Sequence, residues 1–178
     1  MKYLVRSAIV IALSVVMFSC SKLTHTTFYE EFNESVAVPR QVLLASTDTF
    51  TTPEIPTNVS GTLSANNTSP SLVQSVELQA MTLTITAPAG QSLAPLRDVQ
   101  IFILTDSLPA IQIASQYNIS TKSDTLNMNV TDAQLRPYLL SNSFKIKAVT
   151  TNSAAITQAM TVNIYLKFQF QANLLALL

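Results

Sequence analysis

The chain predicts an all-β fold: an antiparallel β-sandwich, Ig-like or jelly-roll in general plan, with one short helix, following an N-terminal signal peptide. Three observations lead there. Charged residues make up only 11% of the 178 residues, and Thr, Ser, Asn and Gln supply most of the polarity. Few charges with many β-branched residues suit sheets better than helices. Apolar residues recur with period two in several segments, the mark of strands with one face in a core. Polar turn sequences separate these short segments, as in a sandwich.

The firmest strand is C-terminal. Ile156, Met160, Val162, Ile164, Leu166, Phe168, Phe170 and Ala172 share one parity, and Asn163, Tyr165, Lys167, Gln169 and Gln171 the other. At about 3.3 Å per residue the whole alternation would span roughly 55 Å, so a bend, a bulge or service to two sheets is expected. Ser75 to Ala87 is a second strand with a change of phase. Val76 and Leu78 share one parity and Met81, Leu83 and Ile85 the other, so a bulge near Ala80-Met81 would bring both sets to one face. Asp98 to Thr105 is apolar on both sides and reads as a buried central strand. Shorter strands are expected at Ile111–Ala114, Leu126–Val130 and Phe144–Ala148, with weaker candidates at Thr27–Phe32, Val36–Leu44 and Asn58–Leu63. Thr131 to Gln134 has the spacing of a capping box before Leu135, Tyr138 and Leu139, and Pro137 limits the helix to a turn or two. Thr51 to Ser71, rich in Thr, Ser, Asn and Pro, is expected to be mostly loop. The terminal Leu174 to Leu178 is expected to pack across an open end of the sandwich or to seek a partner.

A rival architecture, a membrane-spanning barrel, would need tall outward apolar bands on every strand and aromatic girdles. Only the C-terminal strand approaches that height.

The N-terminus carries an address. Lys2 and Arg6 precede an apolar run from Ser7 to Phe18, about a dozen residues, which is a signal-peptide length and too short to span a bilayer. It ends Val16-Met17-Phe18-Ser19-Cys20, with the single cysteine of the chain at the end. This junction resembles a bacterial lipobox of the relaxed kind found in Bacteroidetes-type lipoproteins, although Met17 and Phe18 replace the usual Leu and small residue. The resemblance implies diacylglyceryl transfer to the Cys20 thiol and cleavage between Ser19 and Cys20. A lone cysteine can form no internal disulfide, which fits a lipidated role. The expected organisation is a signal peptide at 1–19, a lipidated tether at 20–26 and one sandwich domain at 27–178. The expected location is the cell envelope, at the outer membrane, with the lipid on Cys20 as membrane contact.

Function is less legible. Loss of Lys2 and Arg6 leaves the mature chain slightly acidic, without a basic cluster, so no nucleic-acid partner is expected. His25 is the only histidine and falls in the tether, which argues against a Ser-His-Asp site or a His-based zinc site. Asp98 and Asp106 bracket one strand, and Asp124 and Asp132 another, as turn residues would. No catalytic residue, metal site or cofactor is expected. The exposed row Asn163, Tyr165, Lys167 and Gln169 is the candidate binding surface, for a protein or glycan partner. A non-catalytic structural, adhesion or assembly role fits best. The alternatives are a carrier of an apolar ligand between the sheets and a hydrolase built on two carboxylates.

Overall fold

The computed structural model describes residues 25–41 and 46–174, and arranges them as ten strands in two antiparallel sheets. The first sheet is ordered β1-β10-β4-β7, where β1 is His25–Val38, β4 Val73–Ala87, β7 Thr125–Asn127 and β10 Met160–Asn173. The second is ordered β2-β9-β5-β6-β8, with β2 Thr47–Thr51, β5 Leu96–Leu104, β6 Ile111–Gln116, β8 Asn129–Val130 and β9 Ser143–Asn152. The two-residue β3, Ile55–Pro56, also pairs with β9. The architecture is a β-sandwich, as expected. Both sheets end in edge strands and do not close into a barrel. No helix among the described residues is long and apolar enough to cross a membrane.

Period-two alternation places the core between the sheets. From the first sheet come Phe28, Val76, Leu78, Met81, Leu83, Ile164, Leu166, Phe168 and Phe170; from the second, Val99, Ile101, Ile103, Ile113, Phe144 and Ile146, all buried. Phe32, Phe144 and Phe168 meet edge to face, with ring centroids 5.2 to 6.1 Å apart. Such pairs add about 0.5–1.5 kcal/mol each beyond area burial.

The phase change in β4 is a bulge. Leu78 faces Phe168 and Ala80 faces Lys167, so Gln79 is the extra residue, one or two positions before the expected place. It brings Val76, Leu78, Met81, Leu83 and Ile85 to one buried face. The C-terminal strand begins at Met160 rather than Ile156, which instead forms an isolated bridge with Gln41. It stays in one sheet, and its register against β4 shifts at three places.

Several expectations need correcting. Asn58–Leu63 is not a strand. Val59–Ala65 forms helix α1, with Val59 and Leu63 buried. Two apolar residues four apart satisfy a helical and a strand period equally, which is why alternation misreads this segment. The stretch from Thr51 to Ser71 is accordingly more ordered than a loop, and Thr52, Thr57 and Thr68 are buried within it. The weak candidate at Thr27–Phe32 lies within β1, which takes in only Val36–Val38 of the other, Val36–Leu44; Pro39 and Arg40 are not strand, and residues 42–45 lie outside the described residues. Leu126–Val130 divides, β7 pairing with β4 and β8 with β6, so the chain passes from one sheet to the other at buried Met128. Phe102 and Leu104 are half-buried on the outer face of β5, not enclosed. Lys147 lies 4.9 Å from the Phe102 ring centroid and shields it.

The short helix after the expected capping box is α2, Arg136–Leu139, with Leu135, Tyr138 and Leu139 buried. The box itself does not form. Leu135 is the N-cap, Thr131 Oγ1 donates to Gln112 O, and Gln134 Nε2 donates to Glu77 Oε1. Tertiary partners for both side chains outcompete the local cap. The strand β1 takes in His25 and Thr26, residues assigned to the tether; His25 is exposed and faces Asn173.

Candidate functional site

The residues Asn163, Tyr165, Lys167 and Gln169 stand on the outer side of β10, the second strand of the four-stranded sheet. Their cross-strand neighbours widen the row into a face. Tyr29-Gln169-Glu77, Glu31-Lys167-Ala80, Asn33-Tyr165-Thr82 and Ser35-Asn163-Thr84 lie side by side on β1, β10 and β4. Asn127 and Thr125 of β7 extend the last two rows, and Thr82 Oγ1 donates to Asn127 Oδ1 at 3.0 Å. The result is a polar surface that spans four strands.

Its electrostatic centre is Lys167. The ammonium lies 3.1 Å from Glu31 Oε1 and 4.8 Å from the ring centroid of Tyr29, whose side chain remains half exposed. Tyr165 hydrogen-bonds the same carboxylate. The hydrogen bonds from Lys167 and then Tyr165 hold the Glu31 carboxyl below its ordinary range. Glu31 in turn holds Lys167 above the ordinary lysine value. Burial, followed by the Glu31 hydrogen bond, pushes the Tyr165 hydroxyl up.

These directions fix a pH window. Glu31, lowered in the folded state, contributes stability that is present above its ordinary value of 4.5 and is lost as pH falls through the lowered value. Lys167, raised, contributes stability that is present below its ordinary 10.5 and is lost as pH rises through the raised value. In Glu31→Gln, NMR titration of the Lys167 side chain should move down toward the ordinary lysine value, and the Tyr165 hydroxyl should follow. An unchanged Lys167 midpoint would show that the pair has no energetic content.

Glu54 and Asp106 bracket Lys145 Nζ at 3.3 and 2.8 Å, which brings two carboxylates near one another. Their side chains are 53% and 79% exposed, however, and they line neither of the recesses described below. Asp98 accepts hydrogen bonds from Arg97 Nε and the Asn118 amide, the turn duty expected of it. Among the described residues no group of three or more His, Cys, Asp or Glu is placed to hold a metal.

An apolar cavity of about 50 Å³ lies between the sheets near Val38, Phe50, Val99, Met160 and Thr150. Among the described residues Thr150 Oγ1 is buried without a hydrogen-bond partner. Sites for small organic ligands usually measure about 300–1,000 Å³. A polar cleft of about 340 Å³ lies between α1 and α2, lined by Asn58, Ser60, Pro70, Ser141 and Asn142 among others. It has hydroxyls and amides but no charged or aromatic lining residue.

Cys20 lies outside the described residues, as do residues 175–178 of the apolar tail. The four side chains of the β10 row are half-buried where exposure was expected, and the sequence did not mark Tyr29, Glu31 and Asn33 as their neighbours. The signal was present, since Thr27, Tyr29, Glu31, Asn33 and Ser35 form a polar alternate set.

No protein-family model matches the chain, and no curated protein matches it. Among solved structures, the decameric BFDV capsid protein is similar at a TM-score of 0.40 and 10% identity, over 83% of this chain and 99% of that one. The structure of FLHE gives 0.34 and 6%, over 84% and 97%. A structure described under carbohydrate-binding modules from the beta-sandwich super family gives 0.30 and 11%, over 80% and 55%. Likeness at this level is distant and says nothing of function.

Proposed function

We propose that the protein is a lipoprotein of the bacterial cell envelope, held at the outer membrane through lipid on Cys20. Its sandwich acts as a non-catalytic interaction module, with a structural, adhesion or assembly role. It meets a protein or glycan partner through the outer face of the four-stranded sheet. The observation that carries this reading is a broad polar face, with Tyr29 exposed at its rim, over a core that holds one small apolar cavity. The cavity between the sheets is too small for a carrier's ligand, and among the described residues the only carboxylate pair sharing a cation is solvent-exposed. Both facts favour the interaction module over its rivals.

The anchor has a clear magnitude. Each buried methylene contributes about 0.8 kcal/mol, so two or three long acyl chains hold a protein on a membrane where a single myristoyl chain does not. A two-part experiment tests the proposal. Radiolabelled palmitate should enter the wild type and not Cys20→Ala, whose product should leave the membrane fraction. From detergent-solubilised envelope, a partner captured by the wild type should be lost from Tyr29→Ala/Tyr165→Ala, with binding to immobilised glycans tested in parallel. Equal labelling would overturn the anchor, and capture indifferent to the two tyrosines would overturn the face.

A further inference from the structure

Edge strands are where sheets accept new partners, and the four edges here are unequal. Three are short: β2 has five residues, β7 three and β8 two. The fourth, β1, has 14 residues. Among the described residues, β10 is the only strand paired with it, and no other segment donates to or accepts from its backbone. In an antiparallel pair, alternate residues turn both N–H and C=O away from the neighbour, so β1 presents about seven of each on its outer side.

Natural edges are usually blunted by shortness, bulges, proline or charge. In β1 the register against β10 runs through 14 pairs without a shift, and the strand contains no proline and no lysine. What it does contain is charge on the inner parity. Glu30 faces Phe168 and Glu34 faces Ile164, both core residues, so these carboxylates lie on the core side of the sheet at its rim. They flank Phe32 and form no ion pair or hydrogen bond among the described residues.

The charges select the occupant. An added strand with a wholly apolar inner face would leave both carboxylates unpaired and partly desolvated. A second copy of β1 paired antiparallel about Phe32 would set Glu30 opposite Glu34, and like charges directly opposite are destabilising. A strand with cations at two inner positions four residues apart would satisfy both carboxylates and the open ladder together.

We propose that the outer edge of β1 is a docking edge for an extended segment of another protein. That segment carries Lys or Arg at two alternate-face positions four residues apart and adds to the sheet as a fifth strand. The backbone ladder supplies the attachment and the carboxylates supply the selection, the usual division of labour in strand addition. This surface is the edge of the sheet, so the proposal stands apart from any partner of the outer face.

The test uses the full chain in mild detergent and a peptide of about eleven residues that alternates Thr with Val and replaces two Val four apart by Lys. Calorimetry should detect binding, and hydrogen exchange should show new protection at alternate amides of β1. Glu30→Gln/Glu34→Gln should weaken binding about tenfold. A peptide with Glu in place of Lys should not bind, nor should one N-methylated at alternate amides. Three results would overturn the proposal: no binding by the Lys peptide, equal binding by its N-methylated form, or affinity unchanged in the double variant. If the double variant self-associates while the wild type ignores the peptide, the carboxylates guard the edge, which also refutes docking.

Discussion

Phe168→Ala should cost about 3–5 kcal/mol, the upper range for truncating a buried aromatic. Phe168 is fully buried on β10, between Glu30 of β1 and Leu78 of β4 in the sheet. Its ring is 5.7 Å from Phe32 and 6.1 Å from Phe144, so it joins three strands of both sheets. Truncation removes two edge-to-face contacts and opens a void that neighbours held in regular strands cannot close. Domains of this size are stable by about 5–15 kcal/mol, so the loss is a large share of the whole. The thermal midpoint should fall by on the order of 10 °C. Phe102→Ala, on the outer face of β5 beneath Lys147, is the matched control and should cost about 1 kcal/mol. Urea unfolding of both variants decides it. Equal losses would mean that the aromatic cluster is not the keystone of the core.

The reasons some elements were legible and others not are specific. In β4 the bulge was readable because the apolar parity changes in mid-strand, and only an extra residue reconciles the two halves on one core. In β1 the pattern reads Phe28, Glu30, Phe32, Glu34, Val36, and two acids in core-side positions obscure a 14-residue strand. Such acids are tolerable only at an edge, and edge status is a property of the assembled sheet. The division of Leu126–Val130 between sheets was hidden for a related reason. Alternation says which side chains are buried, but not which neighbour takes the backbone hydrogen bonds.

The candidate site divides the same way. Once β10 was assigned, its outward row followed from parity alone. The residues that give the row its chemistry come from β1, at the far end of the chain; Asn33 and Asn163 are 130 positions apart. Pairing of the first strand with the last sets Glu31 beside Lys167 and Tyr29 beside Gln169. Nothing in either segment specifies that neighbour in advance. The charge balance between Glu31 and Lys167 is therefore a product of topology, whereas the hydroxyl- and amide-rich character of the face was visible in composition.

Deleting Asn33 and deleting Gln79 should have unequal costs, although each removes one exposed polar residue from a long strand. Without Gln79, β4 reads Val76, Leu78, Met81, Leu83 and Ile85 at strict alternate places. The ladder to β10 can then run straight through the former bulge, and the cost should be about 1 kcal/mol or less. β1 has no extra residue to give up, since its register against β10 is unbroken. Without Asn33, either Phe28 and Phe32 turn outward or Val36 and Val38 do, because a one-residue slip moves every following side chain to the other face. Losing the valines is the cheaper choice. Both line the apolar cavity between the sheets, and their exposure should cost about 2–4 kcal/mol. The outer row would be damaged as well, since a preserved N-terminal half keeps Glu31 beside Lys167 while Ser35 leaves the side of Asn163. Urea midpoints of the two deletion proteins, with the slope checked for constancy, provide the measurement. Comparable destabilisation by both deletions would show that the bulge is needed for the twist of the sheet rather than only for reconciling its two apolar sets.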